Sequence, residues 1–466
     1  MFFKLFNNYL RPPVLLLGLA EAGVIFGAVF AAVALHLQQD AAGLGISSPA
    51  IWPKAAVVTA IVFISLLALG LYQFHQRLYF KDALARLGVA FVLASIPIAA
   101  VWYALPEFAL GRTDAQLAVV VAFTGLTSVR LFFMRTVDEN IFRRRTLVYG
   151  TGEKAAAIHD IRRRADRRGF QIVGSVSQRG GRSLLAAGRS LEHDKSLLDI
   201  ALERDAGEVV VAIDDRRGAL PVDELLACKV RGIDVLDLVG FLERETGKIR
   251  IDLVNPSWMI FSSGFRITAF RRCTKRTLDL VVSLLALFGA FPFMLLAALA
   301  IKLEDGLFAP VLYRQRRVGL HGETFNVLKF RSMIESAEAD GAARWAEEND
   351  ARITKVGAVL RKLRLDELPQ IINVLRGEMS LVGPRPERPE FVRELEKSIP
   401  FYPERHTVKP GITGWAQLRY QYGSSEHDAI EKLQYDLYYV KNHSLMLDLV
   451  IMLQTAEVVL WGKGAR

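Results

Sequence analysis

Two adjacent carboxylates, Asp366 and Glu367, sit in the stretch Leu365-Asp-Glu-Leu-Pro-Gln370. Arg361, Lys362 and Arg364 stand just before them, and Arg376 and Arg385 follow. An acidic pair at a helix start commonly does no more than cap the helix. A carboxylate among so many cations, however, is expected to stay ionised and nucleophilic at neutral pH. A helix starting at Asp366 also favours a negative phosphoryl group at that end. Successive helix residues point about 100° apart, so Glu367 can hold a metal while Asp366 attacks. Mg²⁺ is the expected ion, being oxygen-loving and a usual partner of diphosphates.

Three basic segments belong with this pair. Tyr313-Arg314-Gln315-Arg316-Arg317-Val318-Gly319 reads as a short basic turn, and Lys329-Phe330-Arg331-Ser332-Met333 as a strand-like piece. Ser380-Leu-Val-Gly-Pro-Arg385-Pro386-Glu387 presents one guanidinium between two prolines. Arginine grips phosphate oxygens in a bidentate way, and flanking prolines keep such a loop in place. Each segment by itself is what a solvated surface offers; all of them close to one acidic pair point to phosphate chemistry.

The elements that must carry these residues include a membrane. The chain has 466 residues, a formal net charge of +10 and a hydrophobic share of 52%. That combination suits a membrane protein with basic faces toward anionic lipid or phosphate ligands. Nucleic acid is not an expected partner, because no basic helix or finger motif accompanies the charge. Cys228 and Cys273 lie in no metal-ligand or CxxC spacing, so neither a disulfide framework nor a zinc site is expected. Four apolar stretches, about Val14–Leu37, Ala55–Tyr72, Leu87–Leu105 and Leu117–Met134, are each near the ~20 residues that cross a bilayer. The first reads as a retained span and not a signal peptide. Glu21 interrupts it and must face other helices or water, or be protonated; Arg130 lies close enough to the end of the fourth to snorkel. Lys4, Arg11, Arg77, Lys81, Arg86, Arg135, Arg143, Arg144 and Arg145 fall in the flanks that put both ends of this four-helix unit in the cytosol.

The expected architecture is therefore membrane α plus α/β. Residues 1–140 form four transmembrane helices, 141–266 a Rossmann-like parallel α/β domain, and 267–466 an α/β catalytic domain. In the second domain, strands at Thr146–Tyr149, Gln171–Ser177 and Glu208–Ile213 alternate with helical stretches. Gly150, Gly152 and Ala155 match GxGxxA and can put backbone N–H groups against a phosphate, but the second strand lacks the terminal acid that an NAD site wants. A structural or regulatory role is expected there. In the third domain, Leu280 to Ile301 contains no charge, yet Pro292 interrupts it and basic residues flank both ends. A re-entrant helix–break–helix over 277–303 satisfies both facts. Leu445 to Trp461, apolar with Asp448, Gln454 and Glu457 interspersed, reads as an amphipathic helix on the membrane or on the core.

The stretch from Lys275 to about Lys463 closely resembles the bacterial sugar transferases, the monotopic polyprenyl-phosphate phosphoglycosyl transferases. KRTLD at 275–279, YRQRRVG at 313–319, KFRSM at 329–333, LDELPQ at 365–370, MSLVGPRPE at 379–387, KPGITGWAQ at 409–417 and YDLYYVKN at 435–442 carry the resemblance. The whole chain is similar to the large members that start exopolysaccharide or O-antigen synthesis. The resemblance implies that Asp366 attacks the sugar-linked phosphate of a UDP-sugar and releases UMP. The covalent phosphosugar–aspartate then passes to undecaprenyl phosphate at the bacterial inner membrane, with the soluble domains on the cytoplasmic side. It implies a metal-ligand role for Glu367, and a phosphate- or substrate-binding set of Arg314, Gln315, Arg317, Lys329, Arg331, Arg361, Arg385, Gln417 and Arg419, with Asp436 orienting the site. Lys275, Arg276, Asp279 and Pro292 would set the re-entrant helix, although many relatives have Ser where this chain has Phe291. A membrane-bound sugar-nucleotide dehydratase would need a complete NAD fingerprint and a Tyr-x-x-x-Lys pair; Lys441 has Leu437 four residues before it. A non-catalytic scaffold for polysaccharide export is the rival from another class. The sequence names no sugar; a homodimer through the front half is a further expectation.

Overall fold

The computed structural model describes residues 3–5, 8–10, 12–41, 51–69, 71–72, 80–136, 143–161, 166–167, 169–177, 190–191, 195–214, 220–254, 256–262, 264–265, 268–306, 308–334, 352–420, 423 and 425–461. Arg11, Arg77 and Lys463, which entered the sequence reading, lie outside the described residues. The chain divides into two compact units that part between Thr246 and Gly247, and each is described by itself.

The first unit opens with four apolar helices, α1 (Pro12–Ala41), α2 (Ile51–Ala68), α3 (Phe80–Ala104) and α4 (Arg112–Thr136). By length and composition α1, α3 and α4 can each cross a membrane, as can one helix of the second unit, whereas the apolar run of α2, Ile51–Leu67, is shorter. Small residues such as Ala55, Ala83, Ala90 and Ala94 let these helices approach closely around Ile25, Leu66, Leu87 and Leu126. Glu21 faces this interior, fully buried. Its partner corrects the expectation for Arg130: the guanidinium does not snorkel but stays buried, with Nε 2.8 Å from Glu21 Oε1 and Nη2 donating to Oε2 at 2.8 Å. A charge inside an apolar bundle must be paired, and Glu21 supplies the pairing that position near a helix end does not. The Tyr72 hydroxyl donates to the same carboxylate.

The rest of the unit is a five-stranded parallel sheet. Its strands are β1 (Arg144–Tyr149), β2 (Phe170–Val176), β3 (Ser190–Leu191), β4 (Glu208–Val211) and β5 (Asp234–Asp237), in the spatial order β3-β2-β1-β4-β5. Helices α5 (Glu153–His159), α6 (Leu197–Glu203), α7 (Val222–Val230) and α8 (Leu238–Thr246) alternate with them. The central strands β1 and β4 read Leu-Val-Tyr and Val-Val-Val because both faces of a parallel sheet are covered. Gly150 has φ +133°, and a Cβ there would lie 2.2 Å from the Ala212 carbonyl oxygen, so only glycine fits. Two of the N–H groups that the glycine turn could offer to a phosphate are already taken. Asp214 Oδ2 accepts from Glu153 N at 3.1 Å and Oδ1 from Lys154 N at 2.9 Å.

In the second unit residues 247–254 already pack onto its body: Trp415 Nε1 donates to Gly247 O at 2.7 Å and Lys248 pairs with Glu431 at 2.8 Å. Short α9 (Pro256–Phe261) follows, then α10 (Ala269–Asp305), a 37-residue helix that continues through Pro292 without interruption. Proline there has no N–H for the Phe288 carbonyl. A hairpin of β6 (Leu312–Val318) and β7 (Thr324–Phe330) comes next. Then come α11 (Lys355–Lys362), a 3₁₀ turn at Leu365–Glu367, α12 (Gln370–Arg376) and β8 (Ser380–Val382), and after them α13 (Pro389–Ser398) and a 3₁₀ turn at Tyr402–Thr407. β9 (Gly411–Thr413) pairs in parallel with β8, and α14 (Trp415–Arg419), α15 (Glu426–Asn442) and α16 (Leu445–Trp461) close the fold. Of the two readings for the last helix, the structure realises contact with the core: Leu447 and Ile451 pack with Tyr435 and Tyr439, and Asp448 is buried against Lys275 at 2.7 Å.

Candidate active site

Asp366 and Glu367 are positioned by a break between two helices. α11 ends in Arg361 and Lys362, Arg364 turns the chain with φ +59°, and the 3₁₀ turn then leads through Pro369 into α12. The helix expected to start at Asp366 starts at Gln370 instead, and Asp366 lies in the 3₁₀ turn that precedes it. Asn373, fully buried on α12, ties this run to β7: its Oδ1 accepts from Leu328 N at 3.0 Å and its Nδ2 donates to Asn326 O at 2.8 Å. That tie brings Lys329, one residue along β7, to the acidic pair.

The cations do not go where the sequence sends them. Glu367 Oε1 accepts from Lys329 Nζ at 3.0 Å and from Arg385 Nη2 at 2.8 Å. Among the described residues, nothing hydrogen-bonds or ion-pairs with the Asp366 carboxylate, although the residue is buried. The charge states follow. Burial works to raise the Glu367 carboxyl, but Arg385 and Lys329 overcome it and hold the group far below the usual range. Burial and then the charge of Glu367 raise Asp366 above the usual aspartate range, against the pull of Lys329, Arg361 and Arg364. The surrounding cations were expected to keep Asp366 ionised; two cations, Lys329 and Arg385, bond to its neighbour instead, and the pull of Lys329, Arg361 and Arg364 does not outweigh burial.

The loop carrying Arg385 is held at four successive carbonyls. Gly411 N donates to Pro384 O at 2.9 Å, Arg405 Nη2 to Arg385 O at 3.0 Å, Arg317 Nη1 to Pro386 O at 3.3 Å, and Val318 N to Glu387 O at 2.9 Å. Arg317 also lies 3.6 Å from Glu387 and donates to Gln315 Oε1 at 2.6 Å. Arg317 and Gln315, expected at a phosphate, are thus placed as supports of the proline loop. Arg314 is exposed on β6 and no contact among the described residues brings it to the pair. Arg331 pairs with Asp305 at the end of α10. Gln417 Nε2 reaches Ile412 O at 3.5 Å, and the Arg419 guanidinium stacks 4.2 Å over Trp415. Asp436 is buried on α15, 2.8 Å from Arg405. Arg405 and its neighbour Tyr402 were missed in the sequence, because one arginine in a short polar turn carries no signal of burial.

The first third of α10 is pinned to the same body. Lys275 Nζ reaches Asp448 Oδ2 at 2.7 Å and Val382 O at 3.1 Å. Arg276 donates to the Val374 and Leu375 carbonyls at 2.6 and 2.7 Å, closing the end of α12, and Asp279 Oδ1 accepts from Ser380 Oγ at 3.0 Å. The last third is pinned too: Ala297 and Ile301 pack with Phe330 and Leu360, and the Glu304 carboxylate caps α11 by accepting from Lys355 N and Val356 N, both at 2.9 Å. Between these ends Phe288 and Phe291 are exposed.

For metal binding, no group of three or more His, Cys, Asp or Glu side chains gathers among the described residues. Mg²⁺ commonly uses one or two carboxylates together with substrate phosphates. Asp366 and Glu367, whose two cation contacts both fall on Oε1, fit that mode.

Fold and site define a membrane protein whose α/β unit buries an uncommitted aspartate beside a cation-held glutamate. Residues 270–462 match the family model described as bacterial sugar transferase. The UDP-N-acetylgalactosamine-undecaprenyl-phosphate N-acetylgalactosaminephosphotransferase of Aeromonas hydrophila is 42% identical over 242 residues, 52% of this chain and 56% of that protein. The undecaprenyl-phosphate glucose phosphotransferase of Komagataeibacter xylinus is 32% identical over 332 residues, 69% of this chain and 60% of that protein. The exopolysaccharide production protein ExoY of Sinorhizobium fredii is 36% identical over 206 residues, 41% of this chain and 88% of that protein. The chain belongs to the bacterial sugar transferase family. It spans 56% and 60% of the lengths of the first two relatives.

Proposed function

We propose that the chain transfers a sugar-1-phosphate from a UDP-sugar to undecaprenyl phosphate, releasing UMP, through Asp366. The carrying observation is the division of labour in the acidic pair: Glu367 is locked by Lys329 and Arg385, and the Asp366 carboxylate has no hydrogen-bond or ion-pair partner among the described residues. A carboxylate oxygen of Asp366 attacks the sugar-bearing phosphorus; the bond from that phosphorus to the bridging oxygen breaks, and UMP leaves with that oxygen. A phosphate oxygen of the lipid carrier then attacks the same phosphorus, and Asp366 departs as a free carboxylate. Two displacements at one fixed carboxylate replace a direct meeting of two bulky substrates. Arg385, and Arg361 at the end of α11, are set to receive phosphate oxygens. Mg²⁺, held by Glu367 and Asp366 with the diphosphate, would neutralise charge on the leaving UMP.

The proposed membrane placement is read from α10. A straight helix of this length extends roughly 55 Å, well beyond the ~30 Å hydrocarbon core, yet both of its ends bond to one α/β body. We read it as re-entrant, bent where Pro292 leaves the Phe288 carbonyl without a donor, with the stretch around Phe288 and Phe291 dipping into one leaflet and both ends on the cytoplasmic face of the inner membrane. The parallel sheet of the first unit, in the order β3-β2-β1-β4-β5, is read as Rossmann-like and structural.

The test is UMP release from a panel of UDP-sugars, UDP-glucose, UDP-galactose and UDP-N-acetylgalactosamine among them, with undecaprenyl phosphate and Mg²⁺. Carrier-dependent UMP from wild type, lost in Asp366→Asn, supports the reaction and names the sugar. No UMP with any donor would return the chain to the scaffold reading.

A further inference from the structure

We infer that Arg405, held by Asp436 and Tyr402, is a positioning residue that sets Arg385 against Glu367. The inference rests on the reaction proposed above, and its ground is a continuous chain of contacts. Arg405 is almost fully buried. Its Nη2 lies 2.8 Å from Asp436 Oδ2 and donates to the backbone carbonyl of Arg385 at 3.0 Å, and its Nη1 donates to the Tyr402 hydroxyl at 2.6 Å. The guanidinium of Arg385, on the far side of that same residue, reaches Glu367 Oε1 at 2.8 Å. One buried guanidinium therefore joins α15 to the residue that touches the acidic pair.

Stability alone is a poor reason for such a pair. A buried ion pair loses most of its attraction to desolvation, and apolar residues of similar size often serve as well. Burial pushes the Asp436 carboxyl up to about 6 in spite of Arg405 beside it. What apolar residues cannot supply is an N–H aimed at the Arg385 carbonyl. The other three carbonyls of the loop are held from β6 and β9. Only the Arg405 bond, among those four, acts on the residue whose side chain meets Glu367.

The experiment replaces both charges together. Arg405→Met/Asp436→Leu in the full chain leaves no buried charge unpaired but removes the bond to Arg385 O. The expected result is a melting temperature near wild type and at least about tenfold slower UMP release, mainly in kcat. In an Arg385→Ala background the same pair of changes should cost less than about twofold further, because the effect passes through Arg385. Wild-type turnover in the double variant, or losses that multiply in the Arg385→Ala background, would overturn the inference. Arg405→Lys keeps the charge opposite Asp436 but not the two-pronged reach, so it should fold and turn over slowly; wild-type kcat would again overturn it. Hydrogen exchange over residues 380–388 reads the positioning without turnover. It should quicken in Arg405→Lys, and unchanged exchange counts against the inference even if wild type releases no UMP.

Discussion

Two carboxylates of this chain, one in each unit, are buried among arginines and end in opposite conditions. Glu208, at the start of β4, accepts from Thr146 Oγ1 at 2.7 Å, from Arg244 at 2.9 Å on each oxygen, and from Arg144 at 3.1 Å. Burial works to raise its carboxyl, but Arg244, Thr146 and Arg144 bring the group below its usual range. Asp366 is buried too, yet Lys329 and Arg385 bond to its neighbour and its own carboxyl is pushed up. A crowd of cations therefore marks a carboxylate that is held in place. In the proposed reaction the attacking group is the carboxylate beside it, which an incoming phosphoryl group would reach at the least cost in broken contacts.

The comparison is broken or sharpened most strongly by exchanging the two defects. Asp366→Asn should lower UMP release by on the order of 10⁴-fold or more, the scale of losing a nucleophile, with melting unchanged or slightly raised. Glu208→Ala should do the reverse. It removes the buried carboxylate that Arg244 and Arg144 share, leaving Arg244 to Glu245 and Arg144 to Asp234, and should cost roughly 3–5 kcal/mol of stability, seen as a lower melting temperature in detergent. UMP release per folded molecule should survive. A folded but inactive Glu208→Ala chain would mean that the two carboxylates are not separable in this way.

A smaller effect lies in pH. A raised Asp366 carboxyl keeps its proton to higher pH than a free aspartate, so kcat/KM should fall on the acid side at a pH above the ordinary range of about 4. Glu367 is depressed; its contribution is present above its unfolded value and lost only as pH falls through its folded one, so it stays ionised across that window. Lys329→Met removes a cation that lowers Asp366, and should move the acid limb of kcat/KM to higher pH. A limb that stays in place would show that Lys329 acts on Glu367 and not on its neighbour.

The sequence made the pair and its basic segments legible because they are short, ordered and local. It made the front helices legible because apolar runs of that length have few other uses, and the strands around Tyr149 and Val211 because parallel strands are covered on both faces. Partnerships across long separations were hidden. Arg130 finds Glu21 109 residues away, and no local rule distinguishes that from snorkelling. Arg405 meets Asp436 and Arg385 only because a 3₁₀ turn, α15 and a proline loop come together. The division of cations between Asp366 and Glu367 was hidden for a further reason: adjacent residues have the same neighbours in sequence and different ones in space. At Pro292, the missing N–H is visible in the sequence, but the length of helix on both sides decides whether the helix stops there.

The smallest effect concerns the glycine turn before α5, where a carboxylate again decides what a site can do. Asp214 holds the N–H groups of Glu153 and Lys154, and Lys154 Nζ donates back to the Asp214 carbonyl at 2.8 Å. A Cβ on Gly152 would run into that carboxylate, so glycine serves the internal anion at this turn. Asp214→Ala should then cost about 1 kcal/mol, the usual value of a lost helix cap, read as a small drop in melting temperature. Wild type should show no shift in melting with NAD⁺ or pyrophosphate, because the chain already supplies the negative group. A clear shift in wild type would mean that Asp214 yields to a ligand, and the first unit would have to be read as a binding site whose own carboxylate stands in for the missing phosphate.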